Sequence, residues 1–326
     1  MASVASSTNA TGPSRARRWL SGFRERETWT AYLFIVPWVI GFLALTAGPM
    51  VASFYFSFTD YGVQQIAGFE PTSRVGLDNY RELLDDPRVA TSLKNTLIYT
   101  VMTVPAKMTV ALGLALILAR LAFAAGFFRT VFYLPDITPP VAIGILILVL
   151  FNGSTGIVNR GLELIGIPGP FWTTDPTWIK PSLAIMSVWT VGGTMVIYLA
   201  ALKAVPTHLY EAAAIDGAGP WRRFINITLP MISPALFFTF IVLTIAGLQT
   251  FTEVYTAYFG QQGGAGAEAP DAALMNVIYL FRQAFEFFNM GFASAMAWLL
   301  FLIIMIVTAI QFLVSRRWVF YQGDSR

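Results

Sequence analysis

"YEAAAIDGAGPWRRF" (Tyr210–Phe224) lies between two of the most apolar stretches of the chain. It opens with a glutamate and three alanines, breaks at Gly217, and resumes after Pro220 with two arginines. Its surroundings decide how to read it. Of 326 residues, 56% are hydrophobic and only 12% charged, with a mean hydropathy of +0.63. Soluble domains carry about a quarter charged residues, so this chain lacks the polar side chains to cover a water-facing surface. The bilayer is its natural solvent.

A hydrocarbon core about 30 Å thick needs roughly 20 helical residues to cross it. Six such spans are expected, at about 31–56, 95–119, 130–152, 181–203, 231–254 and 290–313; five or seven is the next-best count. Pro230 and Pro234 mark the entry of the fifth, where a missing N–H removes no bond. Pro139 and Pro140 fall inside the third and should bend it. The fold class is therefore all-α, a polytopic membrane protein with six transmembrane helices.

Lysine and arginine placement orients the bundle. Arg15, Arg17, Arg18, Arg24 and Arg26 precede the first span. Arg120, Arg129, Lys203, Arg222, Arg223, Arg316, Arg317 and Arg326 fall on the same side, whereas the other side has about half as many over longer loops. The positive-inside rule puts both termini and the opening stretch in the cytoplasm. The pI near 9.2 is thus a topology signal, and nucleic acid is not an expected partner. Residues 1–28 read as a cytoplasmic tail without a cleavable signal, and 314–326 as a second tail.

The extracytoplasmic segments are about 57–94, 153–180 and 255–289. "VGLDNYRELLDDPRV" (75–89) predicts a short amphipathic helix with Leu77, Tyr80 and Leu84 on one stripe. "GIPGPFWTTDPTW" (166–178) predicts a turn-rich loop with exposed aromatics. After the glycine-rich "FGQQGGAGAEAP" (259–270), the run "LMNVIYLFRQAFEFF" (274–288) is too short and charged to span and predicts an interfacial or loop helix.

Within the opening stretch, Pro206 suits a first helical turn, and Leu209 to Ile215 are good formers. Gly217 stands where a left-handed glycine ends a helix. Pro220 can start a second short helix, "WRRFINIT" (221–228), ending before Leu229-Pro230. The expected object is helix, tight turn, helix, projecting into the cytoplasm. Small alanine side chains let a partner approach the backbone closely, with Glu211 as a charge for orientation; a well-capped connector is the plain alternative.

The stretch "EAAAIDGAGPWRRFINITLP" resembles the EAA loop of the membrane subunits of binding-protein-dependent ABC importers. That pattern is Glu-Ala-Ala, a glycine after three more residues, then Ile-x-Leu-Pro; here Glu211, Ala212, Ala213, Gly217, Ile227, Leu229 and Pro230 supply it. "GLDNY" (76–80) and "NTLIYT" (95–100) are similar to sugar-importing members. The resemblance runs from about Asn95 to the C-terminus. It implies the type I importer permease fold: a first helix and outer loop over 29–94, a five-helix core over 95–313, and a coupling loop at 204–230. It also implies that Glu211, Ala212, Ala213, Asp216 and Gly217 seat on a cytoplasmic ATPase. Implied partners are two ATPase subunits, a second homologous permease, an extracytoplasmic solute-binding protein and membrane lipid. The implied cargo is a carbohydrate, a di- or oligosaccharide, crossing a bacterial-type cytoplasmic membrane; glycerol phosphate or another non-sugar solute is the alternative.

No lysine follows a glycine, so the Gly-x-x-x-x-Gly-Lys phosphate loop is absent. The chain itself is expected to hold no cofactor; ATP and Mg2+ belong to the partner ATPase. With no cysteine and one histidine, His208, thiolate and multi-histidine metal sites are excluded, and a catalytic nucleophile with its base is not in evidence. A self-contained secondary transporter would want more intramembrane acids than Asp136 and Glu253.

Charges inside spans are costly and mark pairs or pathways. Lys107 lies roughly 18 Å into an inward-running helix and Asp136 roughly 9 Å into an outward-running one, at 1.5 Å per residue. In a core about 30 Å thick these depths nearly coincide, which predicts a Lys107–Asp136 ion pair, or else two side chains that snorkel separately or face a water-filled cavity. Glu253, Phe251 and Tyr255 in "LQTFTEVYTAYF" (248–259), together with Asn152, Trp189 and Thr190, are the candidate substrate-path residues. Rings that stack on sugar faces and groups that meet hydroxyls suit such a path; an interfacial aromatic belt is the bland reading of the same rings.

Overall fold

A computed structural model of the protein describes residues 26–121, 125–260 and 270–320. The arginines before residue 26, most of the glycine-rich stretch and Arg326 lie outside the described residues. The chain divides into two compact units at Phe56. The first holds α1 (Arg26–Phe42), which runs through a π-turn at Leu43–Ala47 into α2 (Gly48–Phe56). Residues Trp29–Phe56 are long and apolar enough to cross a membrane.

The second unit begins with an outer helix, α3 (Asp78–Asp85). Its buried face differs from the expected stripe, because Asn79 and Leu83 point inward while Leu77 and Leu84 are exposed. Asn79 decides the rotation: its Nδ2 donates to the carbonyls of Ser57 at 3.0 Å and Thr59 at 2.9 Å. Two buried backbone acceptors outweigh one leucine's apolar area.

α4 (Pro87–Arg120) is the longest helix, started by Asp86, whose side chain accepts from the Arg88 N–H, and by Pro87 in its first turn. It extends eight residues outward of the expected span. There α5 (Ala125–Tyr133) and α6 (Pro140–Leu150) form a pair bent by 95°. The bend falls at Pro139-Pro140 as expected, since those residues remove two N–H donors in succession. Next come α7 (Ile157–Leu164) and a second bent pair, α8 (Pro176–Trp189) and α9 (Gly192–Lys203), angled at 51°. The short α10 (Thr207–Ile215) and α11 (Pro220–Arg223) follow. α12 (Ser233–Leu248) and α13 (Thr252–Tyr258) make the fifth crossing; the sequence reading had it continuous, but it is interrupted at 249–251. The short α14 (Asn276–Phe281) and α15 (Met290–Ser315) complete the order. Counting each bent pair as one crossing, the described residues give six, and no strand is present among them.

α4 is the axis of the second unit, packing on α8, α9 and α12. Two apolar clusters lie along it. The outer one gathers Val89, Tyr99, Ile147, Ile179, Ile278, Phe292 and Met296; the other holds Ala111, Ala115, Leu118, Met195, Tyr198 and Ile232. In the 166–178 loop Phe171 and Trp178 are exposed as expected, but Trp172 joins the first cluster: it is 7% exposed, and its Nε1 donates to Asn159 Oδ1 at 2.6 Å. The 274–288 run is a loop helix as expected, buried at Met275, Asn276, Ile278 and Tyr279 and exposed at Phe285, Phe287 and Phe288. Tyr279 donates its phenol to Asp86 Oδ2 at 2.5 Å. Burial, and that bond after it, pushes the phenol up to about 12, so it remains a donor through the neutral range.

Buried hydroxyls in the spans mostly return to their own helix. Thr96, Thr100 and Thr103 donate to carbonyls one turn back, as do Ser182, Ser187, Thr239 and Thr244. A few bonds cross between helices, notably Tyr198 with Thr239 at 2.6 Å and Gln311 Nε2 to Thr244 Oγ1 at 2.9 Å. Asn95 links distant parts of the chain, its Nδ2 donating to the carbonyls of Asp271 at 2.7 Å and Leu274 at 3.0 Å. Asn95→Ala leaves both carbonyls buried without that donor. It should cost about 1–3 kcal/mol, read as a lower thermal midpoint of the purified chain. An unchanged midpoint would show that water replaces the amide.

Candidate functional site: a cavity between helix breaks and a helical knob

Between the two apolar clusters, at the level of Tyr99 to Lys107 on α4, the unit encloses a cavity of about 120 Å³. That is room for about four waters at roughly 30 Å³ each. Its polar lining is Tyr99, Thr103, Lys107, Ser187, Thr190, Thr250 and Glu253, set among Val104, Ile143, Ile147, Leu183, Met186 and Leu243. Two of these residues stand at helix breaks: Thr190 closes α8 where the fourth crossing bends, and Thr250 lies in the gap between α12 and α13. Helix breaks at membrane depth are tolerated where they face protein or a wet cavity.

Close backbone approaches hold the breaks in place. At Gly192, an added Cβ would lie 2.6 Å from the Phe132 carbonyl oxygen and 2.6 Å from Tyr133 Cα. At Gly144 it would lie 2.6 Å from the Glu253 carbonyl oxygen. The first approach seats the bend of the third crossing on the start of α9; the second seats α13 on α6.

Lys107 and Asp136 are not paired. Among the described residues, ion pairs within 4.0 Å are Arg81–Asp78 and Arg282–Glu286. Lys107 Nζ instead donates to Thr190 Oγ1 at 3.2 Å, and Asp136 Oδ2 accepts from the Gly193 N–H at 3.1 Å. The reason is the 95° bend, which carries Asp136 to the first turn of α9, where free N–H groups attract a carboxylate. Both charges therefore grip the bend of the fourth crossing, one on each side.

Of the candidate path residues, Thr190 and Glu253 reach the cavity. The other four do not line it. Asn152 closes a local turn, its Oδ1 accepting from the N–H groups of Ser154 and Thr155 and from the Ser154 hydroxyl. Trp189 is 44% exposed. Phe251 and Tyr255 stack at 5.0 Å, and both rings meet Phe281 in an outer aromatic group. Tyr99, Thr103 and Ser187 were missed by sequence reading. A signal existed in the Tyr99–Thr103–Lys107 spacing, which puts all three on one face of α4.

In the loop between the fourth and fifth crossings, α10 takes the expected form. Gly217 has φ +73°, Ala218 N donates to Ala213 O at 2.8 Å and Gly217 N to Ala214 O at 3.1 Å. This is a Schellman ending, which needs a left-handed glycine. Tyr210 pins the helix to the bundle through a 2.9 Å hydroxyl bond with Thr228. Glu211, Ala212, Asp216 and Gly217 are exposed and Ala213 is half-buried. Ile215 at 88% and Trp221 at 72% exposure stand beside them, an apolar contribution the sequence reading did not single out. The second short helix does not end before Leu229-Pro230. It continues through a π-turn at Phe224–Thr228, Leu229 N bonding back five residues to Phe224 O. The wider turn makes room for Pro230, whose ring clashes with an ordinary α-helical carbonyl.

Comparison with known proteins gives the same architecture a context. The chain is 39% identical over 302 residues to the probable ABC transporter permease protein YesP of Bacillus subtilis, covering 92% of this chain and 94% of that one. It is 31% identical to the sulfoquinovosyl glycerol transport system permease protein SmoG of Agrobacterium fabrum, with 92% and 94% covered. Among solved structures, a bacterial ABC transporter for import of the acidic polysaccharide alginate matches with a TM-score of 0.77, at 23% identity, over 92% of this chain and 99% of that one. At that identity the likeness is one of fold. Residues 109–320 match the model for the binding-protein-dependent transport system inner membrane component. The helical bundle, its α10–α11 loop and these matches lead to one assignment: the chain belongs to the family of inner membrane components of binding-protein-dependent transport systems, as an ABC transporter permease.

Proposed function

We propose that this permease carries a carbohydrate inward across a cytoplasmic membrane through the cavity between its helix breaks, while a partner ATPase drives the movement through α10. The observation that carries the reading is α10 itself. It is a capped helix, fixed to the bundle at Tyr210, that exposes small side chains with Ile215 and Trp221 beside them. Exposed apolar groups on a cytoplasmic loop have little use except as contacts. On this reading Glu211, Ala212, Ala213, Asp216 and Gly217 form the face that meets the ATPase. Two ATPase subunits, a second permease and an external solute-binding protein complete the assembly; ATP and Mg2+ are bound by the ATPase and not by this chain. Both termini face the cytoplasm.

The carbohydrate class rests on a lining of hydroxyls and one carboxylate among aliphatic walls, and on the glycoside named for the Agrobacterium relative. Broken helices at a central site are the arrangement transporters use for rocking access, by analogy with secondary carriers. The test is uptake of labelled saccharides into proteoliposomes holding the complete complex. Uptake should need ATP, the binding protein and this chain together. Uptake that persists without ATP would overturn the reading in favour of a secondary carrier.

A further inference from the structure

Lys107 is the cation of the cavity, and no carboxylate lies within 4.0 Å of it among the described residues. An ammonium at membrane depth is costly unless paired. It has three donors, and its protein hydrogen bond goes to Thr190 Oγ1, a neutral acceptor that itself donates to the Ser187 carbonyl. The acids of the same region are Asp136, at the start of α9, and Glu253, in the cavity lining. Asp136 is engaged by the Gly193 N–H. Glu253, from α13, faces the same cavity with only a long 3.5 Å contact from the Thr250 hydroxyl. The cavity thus presents a donor cation on one helix and a carboxylate acceptor on another, with hydroxyls around them.

A neutral sugar satisfies the acceptor but meets the ammonium only with hydroxyl oxygens. A sugar bearing a carboxylate satisfies both. Its hydroxyls donate to Glu253, and its anion accepts from Lys107 in a charge-assisted bond, roughly twice as strong as a neutral one. We propose that the cargo is an acidic saccharide of the uronic-acid type, and that Lys107 receives its carboxylate. This rests on the reading of the cavity as the cargo site.

The chain has no cysteine, so Ser187→Cys places its single thiol on the cavity wall. The experiment measures modification of that thiol by uncharged N-ethylmaleimide in the assembled complex, with digalacturonate, its methyl ester or cellobiose present. Digalacturonate should slow modification roughly tenfold more than the other two, about 1.4 kcal/mol of preference. Lys107→Gln should erase the difference and Lys107→Arg retain part of it. Equal protection by the acid and its ester, or a preference that survives Lys107→Gln, would overturn the inference and leave the cavity as a sugar site. Protection by none of the three would overturn the cavity reading and the inference together.

Discussion

Glu211→Lys is expected to leave the chain in the membrane at its normal level and to lower binding-protein-stimulated ATP hydrolysis roughly tenfold, in the range of ordinary coupling energies between sites. Glu211 is exposed on α10 and is not among the residues that fix the helix. The Schellman ending uses backbone groups of 213–218, and the anchor to the bundle is the Tyr210–Thr228 bond. Reversing its charge therefore changes the face offered to a partner without unfolding the helix. Gly217→Val makes a useful companion. It forces a β-branched side chain to φ +73°, at a cost of about 1–2 kcal/mol, and should loosen the helix end and reduce stimulation by a different route. Stimulation unchanged in Glu211→Lys, with the complex intact, would mean that the loop is a connector and that force enters the bundle elsewhere.

The second large effect is structural. Gly192→Val should sharply reduce the amount of folded chain and lower its thermal midpoint. The Cβ would meet backbone on both sides, the Phe132 carbonyl oxygen and Tyr133 Cα, each at 2.6 Å. Backbone cannot step aside as a flexible side chain does, and overpacking of this kind costs about 1–3 kcal/mol or more. Gly113→Ala is the matched control: it sits on α4 with nothing within 4 Å of an added Cβ. A helix-interior alanine there should be neutral or slightly stabilising. Equal losses at both sites would show that the membrane, and not the seam between the two bends, sets the cost.

Much of this fold was legible because apolarity is a local property. The six crossings, the bend at Pro139-Pro140 and the glycine ending of α10 each follow from residues within a few positions of one another. The breaks at Thr190 and at 249–251 were not legible. No proline stands at either, and the glycines beside them, Gly192 and Gly247, read equally well as packing glycines. Lys107 and Asp136 show the limit of depth arithmetic. Position along a membrane normal is one coordinate, and the unknown rotation about each axis, plus a 95° bend, sent Asp136 to Gly193. For Phe251 and Tyr255 the composition gave an aromatic group near Glu253 but not its direction. Both rings turn to Phe281, while Glu253, between them in sequence, turns to the cavity.

The hydroxyls that return to their own helices carry a consequence for motion. A threonine bonded to the carbonyl one turn back gives up nothing when the neighbouring helix slides past it, whereas a bond between helices must break and re-form. Thr100 and Thr103 on α4 and Ser187 on α8 each return to their own helix in this way. Sliding of α4 on α8 must therefore break the Lys107–Thr190 bond while those hydroxyls keep theirs, which gathers the polar resistance at the helix break.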